Sequence, residues 1–537
     1  MSPRPQTFGC THYRWPVARN PRCSSASAKI EKTAFRKLTN TRVALELFNT
    51  LSGKTEPLFA SDGKTLRFYC CGPTVYDYGH IGNFRTFLHV DVLRRVIRHL
   101  HSLPVHHVMN VTDVDDKIIR NATASHLPIG EYTAKYTQAF FEDSDALSIE
   151  RPESIAKATE NIPEMVSLIE RLAAEDIAYK VEDGSWYFRI ARFPGYGKLS
   201  KKDLDGIEDG ARIDADEYEK DSARDFALWK ATRPGETSWE TSIGEGRPGW
   251  HIECSAMAMK FLGPSFDLHA GGEDLMFPHH ENEIAQSECA THETFSRHWF
   301  HVRVLLVEGR KMSKSEGNFY TLRDLLLKGH KASAIRFLLL SVPYSQQLNF
   351  TFDGLAAETA AVERLRTFHQ RVREGKWAEG EAQLADVIRD ANARFEAALN
   401  NDLNTAEARA PIFDLLRAVN STADQNKLTR SDADATLALL AKFDSIFSIL
   451  EDRDAELTRT ALKWAEAEGR MDEVAPEVLA QFGSEGLSDA QIDALVAERT
   501  LAKKQRNFGR ADGIRNELLE KGIILEDSKD GVRWKRK

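Results

Sequence analysis

Long apolar runs are missing from this sequence. None approaches the roughly 20 residues of a bilayer-spanning helix, so no membrane partner is expected. Cysteine is scarce: Cys10, Cys23, Cys70, Cys71, Cys254 and Cys289 are the six in 537 residues. They are too few for a disulfide scaffold and include no C-x-x-C pair, so a reducing compartment is expected. An excess of positive charge is lacking too, with 72 lysines and arginines against 81 aspartates and glutamates, a net of −9. That excludes a protein that coats nucleic acid indiscriminately; any RNA contact has to come from local basic patches. What remains is the composition of a soluble enzyme, 42% apolar and 28% charged. At about 150 residues per domain the length allows roughly three or four domains.

Acids are nearly absent from residues 1–42, where nine lysines and arginines face only Glu31. Such a leader resembles an organelle transit peptide, but Pro3, Pro5, Pro16 and Pro21 would break the amphipathic helix that a transit peptide needs. A disordered tail or a mis-assigned start accounts for it as well. A cytoplasmic protein is therefore expected, with a mitochondrial or plastid matrix as the alternative.

From Val43 the pattern becomes globular. Leu66–Cys70 reads as a strand, His80–Leu100 as a helix with apolar residues at helical spacing, and Val105–Val111 as a second strand. Strand, glycine-bearing turn, helix and strand form the βαβ unit of a nucleotide-binding parallel sheet. The cluster Asp113–Lys117 reads as a helix cap or surface turn. Between 120 and 245 lies a mixed insertion, helical to Ala178, with a strand at Tyr187–Ile190 and a charged run punctuated by glycine from Gly206 to Asp221. Sheet character resumes at Phe266–His269 and His301–Val307. After about 345 the periodicity is helical over Ala356–Arg373, Leu384–Leu399, Ala406–Val419 and Ser431–Leu450. Glu451–Gly486 reads as a helix plus linker. A small module from Leu487 carries Arg499, Lys503, Lys504, Arg506, Arg510 and Arg515 with Phe508 and Trp534, a mixture suited to RNA or to a solvated helix face. The fold class is α/β: a split Rossmann-type parallel-sheet domain with an insertion, then an all-helical bundle and a small C-terminal module.

Two stretches carry chemistry. Lys311-Met312-Ser313-Lys314-Ser315, followed by Glu316-Gly317-Asn318, suits a mobile loop whose ammonium groups meet a polyphosphate. Upstream stands Tyr78-Gly79-His80-Ile81-Gly82-Asn83. A third group has metal-ligand character. His279 and Glu283, four apart, share a helix face, while His280 is three from Glu283, so spacing does not choose between the histidines. Cys254 and one of Cys70 and Cys71 would complete a four-ligand set.

Tyr78–Asn83 and Lys311–Ser315 resemble, in the right order, the HIGH and KMSKS signatures of class I aminoacyl-tRNA synthetases. Cys71-Gly72-Pro73-Thr74-Val75-Tyr76-Asp77, Gly249-Trp250-His251-Ile252-Glu253-Cys254-Ser255-Ala256-Met257 and Asp274–Glu283 narrow the resemblance to bacterial-type cysteinyl-tRNA synthetases, from about Val43 to Lys537. The resemblance implies that Cys71, Cys254, His279 and Glu283 hold one Zn²⁺, and that Thr74 and Trp250 line the cysteine pocket. It implies that Gly272 and Asp274 face adenosine, that His80 contacts ATP phosphates, and that Lys311 and Lys314 close on them, with His80 and Lys314 catalytic. The signature departs at Asn83, which stands where the family's HIGH stretch has its second histidine; asparagine still donates a hydrogen bond to nucleotide. The implied activity joins L-cysteine and ATP, with Mg²⁺, to cysteinyl-AMP and then charges tRNA(Cys), with no covalent enzyme nucleophile. Zinc would select thiolate over the serine hydroxyl, making an editing site unnecessary. The implied domains are a catalytic domain in two halves, 43–119 and 246–300, split by the insertion at 120–245; a KMSKS and stem-contact region, 301–345; a helical bundle and linker, 346–486; and an anticodon-binding module, 487–537. A monomer is expected. The alternatives are a ligase that passes cysteine to an amino-sugar and a non-catalytic tRNA-binding paralogue.

Overall fold

Every strand of the central sheet runs in one direction. This computed structural model describes residues 44–201, 225–233, 235–482, 489–528 and 531–536; the leader over 1–42 and the glycine-punctuated run from Gly206 to Asp221 lie outside the described residues. The sheet contains β1 (Leu66–Cys70), β2 (Val105–Val111), β3 (Ser154–Lys157), β4 (Phe266–Gly272) and β5 (Ser296–Val302), in the order β5-β4-β1-β2-β3. Phe68 pairs with His107 on one side and Leu268 on the other. From β1 the chain steps to β2 and β3 on one flank and later to β4 and β5 on the other. The strand order therefore reverses between β1 and β4, where parallel α/β sheets open a crevice at their carboxyl ends.

Parallel strands covered on both faces read as near-continuous apolar runs. Phe68 and Cys70 enter one core cluster together with Phe84 and Leu88 of the helix α1 (Ile81–Arg95). Tyr69 and Cys71 enter the other, against Ile252 and Cys254 of α2 (Trp250–Leu262). The period of two along the strand thus sends the adjacent cysteines to opposite faces. A third helix, α3 (Glu281–Thr291), follows β4 after a turn over Met276–His280.

The stretch 120–245 is not wholly an insertion, because β3 within it pairs parallel with Val108–Val111 as an edge strand of the central sheet. His301–Val307 is not one strand either. β5 ends at Val302, and Leu305–Val307 enters a separate sheet with Arg310–Lys311 and Leu348–Phe350. The expected strand at Tyr187–Ile190 is Trp186–Phe188, in an antiparallel sheet. Asp115 caps a helix as expected, accepting from Lys117 N–H at 2.8 Å. The expected bundle helices are Phe352–Glu374, Ala385–Asn400, Thr405–Asp424 and Arg430–Phe447. The helices Asp489–Lys504 and Phe508–Glu520 and the hairpin Ile523–Ser528/Gly531–Arg536 enclose a small core of Ile492, Ile514, Leu518, Ile523 and Leu525. Arg499 in that basic stretch is buried, whereas Phe508 is 61% exposed. Among the described residues no helix is long and apolar enough to cross a membrane.

Candidate active site and metal pocket

The carboxyl ends of β1 and β4 open into a cleft of about 740 Å³, a volume suited to a nucleotide-sized ligand. Its walls include Thr74, His80, Asn83, Trp250, Gly272, Asp274, Lys311 and Lys314, together with Cys71, Cys254 and His279. The structure therefore brings to one place residues that the chain spreads from position 71 to position 314.

Cys71 leaves the end of β1, Cys254 lies on the first turns of α2, and Glu283 on the first turn of α3 with His279 just before it. Cys71 Sγ is 3.7 Å from Cys254 Sγ and 3.4 Å from Glu283 Oε1, and His279 Nε2 is 3.0 Å from Glu283 Oε1. All four are buried, and their donor atoms lie within 4.8 Å of one another. His279 Nε2 is buried beside that carboxylate, and His279 Nδ1 is 3.0 Å from His251 Nδ1. Two sulfurs on one tetrahedral zinc, each about 2.3 Å from it, stand about 3.8 Å apart, so these four side chains fit the ion.

A second set shares Cys71 and Glu283 but adds His269 and His280. Its histidines have partners, as His279 has in the first set. His269 Nε2 is 2.8 Å from Glu283 Oε2, and His280 Nδ1 is 2.8 Å from His301 Nε2. This set also leaves Cys254 without a role. What distinguishes the two sets is Cys254, which only the first includes. His269 orients the Glu283 carboxylate, an arrangement common around metal sites. His269 went unnoticed in the sequence because a lone histidine inside an apolar strand carries no spacing signal.

The groups of the cluster shift one another. Burial would raise the Cys254 thiol, but the hydrogen bond from Cys71 and the nearby His279 bring it down to about 6. Burial would lower His279, yet the Glu283 and Cys254 charges lift it to about 10. Burial pushes His280 well below its ordinary value, with His269 adding to the shift. The Trp250 ring stacks on His279 at 4.2 Å and 22°, fixing the imidazole plane against the cleft.

At the other end of the cleft, His80 is the N-cap of α1. Its Nδ1 accepts from Asn83 N–H at 3.1 Å, and Asn83 Oδ1 accepts from His80 N–H at 3.1 Å. Asn83 is thereby explained as half of a capping box. Burial, aided by the Lys314 charge, lowers the His80 imidazole to about 4. With Nδ1 accepting, the ring proton resides on Nε2. The loop carrying both lysines is stapled by Asn318, whose Oδ1 accepts from Ser313 N–H at 2.9 Å and whose Nδ2 donates to Lys311 O at 3.1 Å. A Cβ at Gly82 would meet the His80 ring at 2.9 Å and Met312 at 3.2 Å, so only glycine lets loop and helix start approach this closely. Behind the pocket, Gly72 N–H donates to Asn110 Oδ1 at 2.7 Å, Asn110 Nδ2 to Thr112 Oγ1 at 3.1 Å, and Thr112 Oγ1 to Glu253 Oε2 at 2.9 Å. Thr112 also pairs with Thr74 through the backbone. None of these three supports was legible in the sequence.

A parallel sheet with a nucleotide-sized cleft at its switch point, a histidine at a helix start and a lysine loop facing it define a class I aminoacyl-tRNA synthetase. Residues 58–360 match the family model of the class I (C) tRNA synthetase catalytic domain, and residues 394–451 match the DALR domain. The chain is 59% identical over 496 residues to the cysteine–tRNA ligase of Koribacter versatilis, covering 92% of this chain and 100% of that one. It is 44% identical over 502 residues to the cysteine–tRNA ligase of Leptospira interrogans, again covering 92% and 100%. The chain belongs to the cysteine–tRNA ligase family. More distant likeness confirms the fold: Mycobacterium tuberculosis methionyl-tRNA synthetase bound by methionyl-adenylate superposes with a TM-score of 0.52 at 15% identity, covering 80% of this chain and 95% of that one. The LeuRS of Agrobacterium radiobacter K84 gives 0.52 at 11% identity, covering 75% and 86%.

Proposed function

We propose that this cysteine–tRNA ligase activates L-cysteine with ATP to cysteinyl-AMP, charges the 3′ end of tRNA(Cys), and selects its amino acid through a zinc ion held by Cys71, Cys254, His279 and Glu283. The observation that supports it is the opening of this four-residue cluster onto the same cleft as His80, Lys311 and Lys314.

In the first step the cysteine carboxylate attacks the α-phosphate in line and pyrophosphate leaves. Lys311 and Lys314 take up the charge that builds on the phosphates, and Mg²⁺ accompanies ATP. Neutral His80 donates Nε2–H to a phosphate oxygen, a role that needs no positive charge. Gly272 and Asp274 line the cleft where adenosine would lie, and Thr74 and Trp250 wall the amino-acid end. A ribose hydroxyl of tRNA then attacks the activated carbonyl, forming the ester as the acyl–phosphate bond breaks and AMP leaves with the hydroxyl proton released. Zinc in the pocket supplies affinity for thiolate, since it binds sulfur strongly and lowers a thiol pKa from about 8.5, whereas an alcohol hardly ionises. Shape alone separates such small side chains by roughly 10–200-fold. Residues 43–119 and 246–300 are read as the catalytic halves, 301–345 as the lysine-loop region and 487–537 as the module that reaches the anticodon.

Metal analysis of the purified enzyme should give one zinc per chain, and Cys254→Ser should lose it. In the cobalt-substituted enzyme, an absorption band should shift with cysteine and stay put with serine. A metal-free protein that stays folded by circular dichroism and still rejects serine by about 10⁴ would show that the ion only supports the fold.

A further inference from the structure

The helix Asp454–Ala467 follows both segments matched to family models and lines no part of the cleft. Its Trp464 nevertheless reaches the HIGH-like stretch. Trp464 Nε1–H donates to the Tyr78 hydroxyl at 3.0 Å, and the two rings meet edge to face at 5.4 Å and 83°. Tyr78 stands two residues before His80, lines the cleft, and gives its N–H to Asp77 Oδ1 at 2.8 Å. The Arg323 guanidinium lies 5.1 Å from the centroids of both rings, and Asp143 Oδ1 holds its Nε at 2.8 Å.

Arg470, just beyond the same helix, reaches the lysine-loop side. Its guanidinium covers the Trp464 ring at 4.9 Å, and Nη2 donates to Asp324 Oδ1 at 2.8 Å. Asp324 Oδ2 accepts from Thr321 N–H at 2.8 Å, and Thr321 pairs with His80 across a backbone bridge. Ile81 N–H donates to Tyr320 O at 3.0 Å on the same seam. One short piece of chain, 464–470, therefore grips both sides of the phosphate-facing machinery.

Ordinary domain packing would need only apolar area. These contacts are directional instead: an indole N–H on a hydroxyl, a guanidinium on a carboxylate. One ends on Tyr78, two positions before His80, and the other on Asp324, which reaches His80 through Thr321; small displacements there cost large factors in rate. We propose that Trp464 and Arg470 are positioning residues for cysteine activation, setting the separation of His80 from the lysine loop. This rests on the reading that 77–83 and 311–318 handle ATP.

The test is cysteine-dependent ATP–pyrophosphate exchange by the full-length enzyme carrying Trp464→Phe, Arg470→Met or Lys314→Ala. Trp464→Phe and Arg470→Met should each lower kcat about 10-fold, with the KM for cysteine and the circular dichroism spectrum unchanged. Tyr78→Phe combined with Trp464→Phe should be no worse than either alone, because both remove the same hydrogen bond. Unchanged kcat in both Trp464→Phe and Arg470→Met would overturn the proposal, as would Tyr78 and Trp464 effects that multiply, or losses that follow only the unfolded fraction. If Lys314→Ala collapses exchange while the other two retain it, the brace fails and the ATP reading stands. If Lys314→Ala is silent, the ATP reading fails and the brace with it.

Discussion

Asp77 Oδ2 stands 2.5 Å from Lys314 Nζ, so the loop after β1 and the lysine loop meet through a carboxylate and an ammonium group. The pair is partly exposed, and its hydrogen bond to Asp77 raises the lysine above its ordinary value. An exposed pair of this kind is worth about 0–1 kcal/mol, so a polyphosphate can take Asp77's place at little cost. The amine that would neutralise phosphate charge is thereby kept at the cleft without being locked there.

Lys314→Ala should slow cysteinyl-AMP formation about 10²-fold or more, roughly 3 kcal/mol of transition-state stabilisation. Cysteine affinity, measured by equilibrium binding, should barely change. Unaltered pyrophosphate exchange would remove Lys314 from the reaction.

Gly72→Ala places a methyl group 1.8 Å from Asn110 O, a backbone atom that cannot swing aside. The turn after β1 has to move, and Cys71 and Thr74 move with it. Thermal unfolding should show a loss of about 1–3 kcal/mol or more, and the zinc content should fall. A variant with wild-type stability and full metal content would contradict the geometry of this turn.

His80 provides a test in pH. Its imidazole is lowered to about 4 by burial, against an ordinary value of 6.5. Between these values the unfolded chain binds a proton that the folded chain refuses, so this residue's contribution to stability falls as pH drops from 6.5 towards 4. Protonation would also end the Nδ1 acceptance from Asn83 N–H. The imidazole resonance missing from a His80→Gln variant should titrate near 4 in the wild type. Titration at the ordinary value of 6.5 would show that burial does not disfavour the charged imidazole.

Removing the chain from Leu487 onward should leave cysteine activation intact and weaken transfer to tRNA, because contact with the anticodon arm is lost. Steady-state charging with a raised KM for tRNA is the expected result. An unchanged KM would give the module another role.

Local pattern decided much of this fold in advance. Leu66–Cys70 and Val105–Val111 appear where apolar runs between breakers placed them, and the bundle helices follow their 3.6-residue period to within a few residues. Pattern failed where tertiary pairing decides. Ser154–Lys157 is too short and mixed to announce a sheet strand, and only its partner Val108–Val111 makes it one. His301–Val307 reads as a single run because a change of sheet leaves no mark on hydropathy. At the site, the motifs located the ligands and lysines, yet spacing could not separate His279 from His280 or Cys70 from Cys71. Strand alternation puts Cys71, not Cys70, in the core cluster of Cys254, and both histidines lie beside Glu283. Supports such as Asn110, Glu253 and His269 carry no spacing signal.

The metal pocket is built from pieces far apart on the chain: Cys71 lies 183 residues from Cys254 and 212 from Glu283. Before β4 and α3 have docked on β1, Cys71 is separate from Cys254, His279 and Glu283, which residues 254–283 carry together. Domains emerge from the ribosome N-terminal part first, so a nascent chain offers zinc no complete pocket until residue 283 has emerged and the sheet has closed. An ion held by all four would follow the docking of β4 on β1, and metal uptake would report that the catalytic domain has finished assembling.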